Sequence, residues 1–140
     1  MTYENYVKAK LVDLVIADAF VSGGVESMLA VAQVMKNRVD AGWEGGDWLR
    51  VIESAPDKRG TEQPHIHINA REGNFRELLR RIDDVYYGVA EDDNVNNDSG
   101  KSLYYAELHN INREWFQERI LDDLDTHPRL ATVGQLTFFG

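Results

Sequence analysis

Apolar residues recur through the first forty positions at the spacing of a helix face. Val7, Leu11, Leu14 and Val15 fall on one stripe and predict a helix over Thr2–Phe20. At about 100° per residue, Asp18 lies in the middle of that stripe. Ser22-Gly23-Gly24 then predicts a stop, because paired glycines favour non-helical backbone. A second helix is predicted over Val25–Ala41, with Met28, Val31, Ala32, Val34, Met35 and Val39 on a broad apolar arc. Gln33, Lys36, Asn37 and Asp40 occupy the opposite arc, and Gly42 is placed to cap the end. The two helices are expected to pack as neighbours on one core, with Met28, Val31, Ala32 and Met35 buried.

Periodicity weakens after Gly42. A short helix is predicted around Trp48–Ser54, a turn at Pro56-Asp57, and an extended piece over His65–Asn69, where His65 and His67 share a face. A third helix runs over Asn74–Gly88, with Asn74 as cap and Gly88 as stop. Glu91–Gly100 has the composition of a loop. Leu103–Leu108 reads as a strand, Arg113–Leu121 as a short helix, and Thr132–Phe139 as a closing strand. No repeat or internal boundary interrupts the 140 residues, so residues 1–140 are expected to form one domain.

Composition narrows the function. Hydrophobic residues make up 43% of the chain, enough for a core, and the formal net charge is −9. That charge disfavours polyanionic partners, so neither nucleic acid nor an anionic membrane surface is expected. The absence of cysteine removes disulfides and thiolate chemistry. Met1–Lys10 is polar and does not read as a secretory signal, and no apolar run is long enough to span a bilayer. Synthesis in the cytoplasm is expected, and action outside it would depend on delivery by other means. The acidic and amide residues of Glu91–Gly100 lack the spacing of a calcium loop, so no metal and no cofactor are expected.

Two carboxylates stand out. A carboxylate centred on an apolar helix face is costly without a partner or a task, which singles out Asp18. General-acid catalysis needs a carboxylic acid that keeps its proton near neutral pH, and burial against apolar side chains favours that state. The plainer reading of Asp18 is a loop cap or a partner for a basic residue such as Arg38. Glu26 lies on the polar arc of the second helix, either lining a substrate cleft or serving as a first-turn acid matched to the helix dipole. Tyr104, Tyr105 and Trp115 suit sugar binding, since their rings join a flat apolar face to a polar edge. His65 and His67 complete the candidate cleft wall. The plainer readings are core aromatics and surface histidines.

The block from Glu26-Ser27 through Met28-Leu29-Ala30-Val31-Ala32 to Asn37-Arg38-Val39 resembles a hallmark of the spore-cortex-lytic (SleB-like) cell wall hydrolases. Ala17-Asp18-Ala19 resembles that family's Ala-Glu-Ala, with one extra residue allowed in the Ser22–Gly24 loop. Leu103-Tyr104-Tyr105, the following Trp115, and Val133-Gly134-Gln135-Leu136-Thr137-Phe138-Phe139 are similar to its later segments. The likeness runs from Ile16 to the C-terminus and is poor between Gly45 and Glu72. Departures are Asp18 for the family's glutamate, Leu136 for its late histidine, and Glu107-Leu108 for its Asn-Pro.

The resemblance implies a lytic transglycosylase that cleaves the bond between N-acetylmuramic acid and N-acetylglucosamine in peptidoglycan. There one carboxyl group suffices, with Asp18 slightly favoured over Glu26. The expected fold is α+β and mainly α, a compact lysozyme-like domain with a small β element, and the expected setting is phage lysis. Two alternatives stand beside this reading: a wall-binding relative that has lost its acid, and an acidic phage protein that inhibits a host enzyme.

Overall fold

A computed structural model describes residues 2–55, 73–108 and 114–140. It is a mixed α+β structure, mainly helical, with small sheets. The first and longest element, α1, spans Tyr3–Asp40. Thr2 caps it by accepting the Asn5 amide at 3.1 Å. The helix is broken inside by Gly23 and by Gly24, whose φ of +68° is backbone that glycine adopts without strain. The expected stop is therefore a break between two helical halves that continue into each other. The two predicted apolar faces are both buried: Val7, Leu11, Leu14 and Val15 before the break, Met28, Val31, Ala32 and Met35 after it.

Gly42 (φ +84°) ends the helix and leads through a 3-10 turn, Trp43–Gly46, into α2 (Trp48–Glu53), capped by Asp47. The helix α3, Gly73–Tyr86, packs along α1. Its first residue is Gly73, so Asn74 lies inside the helix rather than at the predicted cap. Glu91–Gly100 is not wholly a loop. Asn96–Asn97 (β1) and Gly100–Lys101 (β2) pair antiparallel in a small hairpin.

Tyr104–Ala106 (β3) is the predicted strand, shortened. Glu114–Phe116 (α4) runs on into a wider π-type turn, Gln117–Leu121. The chain closes not with one strand but with a hairpin, β4 (Arg129–Val133) and β5 (Leu136–Phe139), in a sheet of order β3-β5-β4. Gly134 (φ +59°) occupies the first of two turn positions, which is what lets the chain reverse there.

That turn closes on the break in α1. The Gln135 amide donates to the Ser22 carbonyl (3.0 Å), and the Ser27 hydroxyl donates to the Val133 carbonyl (3.1 Å). A Cβ placed on Gly134 would sit 2.6 Å from the Ser22 oxygen and 2.7 Å from Gly23 Cα. Gly134→Ala is therefore expected to cost more than about 1 kcal/mol, through both positive φ and backbone collision. Urea unfolding at equilibrium measures it.

The sheet is covered on both faces. Tyr105, Leu136 and Phe138 face α1 and join the principal core. Ala106, Phe139, Phe116 and Ile120 form a second cluster on the far face, with Tyr104 packed against it. This explains why all four residues of β5 are buried.

Candidate active site

Asp18 lies half-buried in the first half of α1, and Tyr105 reaches it from β3. The Tyr105 hydroxyl donates to Asp18 Oδ2 at 2.5 Å. Tyr105 itself is 3% exposed and stacks on Phe138 with ring centroids 6.0 Å apart. Two residues 87 positions apart in the chain, singled out for different reasons, thus meet. The burial corrects one expectation: the Tyr105 ring is no open platform for a sugar, and its polar edge is directed to the acid. A fixed phenol donor restricts the carboxyl group to one orientation, which supports its positioning and not the retention of its proton.

Tyr104 takes the other face of β3, as strand alternation requires, and does not face Asp18. The two tyrosines therefore do not line a common wall. His65 and His67 lie outside the described residues, as does the side chain of Trp115, whose backbone belongs to α4. Leu136, where the resembling family carries histidine, is buried in the principal core with Phe138.

Glu26 is held elsewhere. Its Oε1 accepts from Arg81 Nη1 at 3.1 Å, an exposed ion pair joining α1 to α3. Exposed pairs of this kind contribute little. Glu26→Gln is expected to leave both folding and any cleavage activity within about threefold of the parent, as read by thermal melting and by release of soluble fragments from peptidoglycan.

The polar arc of α1 does not line an open cleft, contrary to the sequence expectation. Gln33 and Asn37 are each 4% exposed and covered by residues 91–102. Asn37 Nδ2 donates to Asn96 Oδ1 and to the Ser102 carbonyl, both at 2.7 Å. Asn37 Oδ1 accepts from Gln33 Nε2 and Asn96 Nδ2, both at 3.1 Å. Gln33 Oε1 accepts the Asp92 amide (2.9 Å), and Asn96 Nδ2 also donates to Glu91 Oε1 (2.6 Å). Buried amides must be paired, and here the hairpin segment supplies the partners. A polar helical arc does not reveal which distant segment will cover it.

The acidic stretch is occupied by its own turns: Asp92 accepts the Asn94 amide and Asn97 the Ser99 amide. Among the described residues no three His, Cys, Asp or Glu side chains form a group able to hold a metal ion. No described helix is long and apolar enough to cross a membrane.

Burial pushes the Asp92 carboxyl above its ordinary value, and the nearby Glu26 and Asp93 charges push the same way, against the Asn94 amide and Arg81. A raised folded-state value means that the fold favours neutral Asp92. Its contribution is full below the unfolded value and is lost as pH rises through the folded one. Asp92→Asn is accordingly expected to raise the melting temperature at pH 7 relative to the parent, with the gap closing near pH 3. Paired melts at the two pH values check this.

No family model, no curated protein and no solved structure matches the chain.

Proposed function

We propose that the chain cleaves peptidoglycan glycan strands between N-acetylmuramic acid and N-acetylglucosamine, as a lytic transglycosylase. The observation that carries this reading is the Tyr105–Asp18 hydrogen bond. It joins the acid from the family-like Ala-acid-Ala frame to the tyrosine of the family-like Leu-Tyr-Tyr strand. In the first step the Asp18 carboxyl gives its proton to the glycosidic oxygen as the bond to the muramic carbon breaks. In the second, the resulting carboxylate takes the proton of the muramic hydroxyl as that oxygen attacks the same carbon, closing an anhydro ring. One group returns to its starting state, so no second carboxylate is required, and water takes no part. Tyr105 holds the carboxyl in place through both steps.

A delivery route by host-cell lysis or in a virion goes with this reading. Leu136 in place of the family's histidine favours a second reading, a wall-binding relative without cleavage. Purified peptidoglycan sacculi separate the two. Loss of turbidity with release of soluble fragments supports cleavage, and sedimentation of the protein with intact sacculi supports binding alone.

A further inference from the structure

A buried cation stands at the centre of a ring cluster that the steps above leave unused. Arg38 is 2% exposed, and its Nε donates to the Leu103 carbonyl at 2.8 Å. Its guanidinium carbon lies 5.8 Å from the centroid of the Tyr105 ring and 5.9 Å from that of Tyr104, within cation–π range of rings on the two faces of the edge strand β3. It is closest to Trp43, at 4.7 Å. On the far side of β3 from Asp18, the Tyr104 ring contacts Trp43 (centroids 5.4 Å apart, tilted) and the edge-on imidazole of His127 (5.0 Å). His127 Nδ1 lies 2.8 Å from the Gly140 carbonyl. All three rings are half-buried, so each keeps some surface open to solvent.

We infer that Trp43, Tyr104 and His127 form a subsite for an N-acetylated hexosamine unit of a glycan strand, braced by Arg38 and lying across β3 from the acid. The inference rests on the reading of Asp18 given above and adds the residues that hold the polymer.

A pyranose presents an apolar C–H face and a polar rim, which is what Trp and Tyr rings with exposed edges match. Cation–π contact with Arg38 fixes the two rings before any ligand arrives, so little ordering remains to be done on binding. With Nδ1 turned to the Gly140 oxygen, Nε2 is the ring nitrogen left to meet a sugar hydroxyl or an acetamido group. The net charge of −9 disfavours a polyanion on this surface but leaves binding of an uncharged sugar unaffected.

The test is calorimetric titration of the full chain with the soluble tetramer of N-acetylglucosamine, in Asp18→Asn so that the ligand stays intact. Binding is expected there. Adding Trp43→Ala should weaken it at least about tenfold, as loss of a central aromatic contact does, and adding His127→Ala should weaken it several-fold. Circular dichroism checks that each variant is folded, and the half-buried His127 keeps the test decisive if Trp43→Ala is not. Absence of binding in Asp18→Asn, or affinities of the folded variants within about twofold of it, would overturn the subsite. If binding depends on Trp43 and His127 while the parent releases no fragments from sacculi, the subsite stands and the cleavage reading fails.

Discussion

Asp18→Asn is expected to abolish cleavage of peptidoglycan by at least about 100-fold while leaving the fold intact, since a positioned acid or base contributes that much or more. The amide keeps the size and an oxygen that still accepts the Tyr105 hydroxyl, so α1 and β3 stay together. What is lost is the proton that the leaving oxygen needs. Tyr105→Phe separates positioning from chemistry. It removes the hydroxyl but keeps the ring stacked on Phe138, and a smaller fall in rate, on the order of tenfold, is expected with the acid still present. Initial rates of fragment release from sacculi measure both. If Asp18→Asn retains the parent rate, the acid lies elsewhere.

The largest effect on stability is expected from Asn37→Ala. The asparagine amide makes four side-chain or backbone hydrogen bonds inside the fold, and its removal leaves Asn96, Gln33 and the Ser102 carbonyl short of partners where water is excluded. Unsatisfied buried groups cost about 1–3 kcal/mol each, and partial relaxation brings the sum to about 2–4 kcal/mol. For a domain of this size that lowers the melting temperature by about 7–14 °C. Calorimetry measures it, and a double-mutant cycle with Asn96→Ala isolates the shared part. A loss below about 1 kcal/mol would mean that the network is solvated and that residues 91–102 do not close over α1.

The first forty residues were legible because a helix face is a local pattern. Val7 to Val15 and Met28 to Met35 needed only a period of 3.6, and Gly23-Gly24 announced the break between them. The sequence suggests one closing strand over Thr132–Phe139 because apolar residues stand on both sides of Gly134-Gln135, and most of β4 lies before that stretch, directly after Pro128. The place of Asp18 on an apolar stripe is legible in the sequence, and its contact with Tyr105 is not. Nothing local distinguishes Tyr104 from Tyr105; pairing with Phe139 and Phe138 in β5 decides which ring turns toward α1. The same limit hid the amide network, since Gln33 and Asn37 carry the pattern of a solvated face until Asn96 and Ser102 cover them.

In the proposed mechanism Asp18 acts alone, and the group that attacks the muramic carbon belongs to the substrate. Mass spectrometry of the fragments released from purified peptidoglycan tests it most directly. Anhydro-muramyl ends are expected from the parent chain and none from Asp18→Asn. Reducing muramyl ends would mean that water attacks instead, and the absence of fragments at any protein concentration would contradict cleavage altogether.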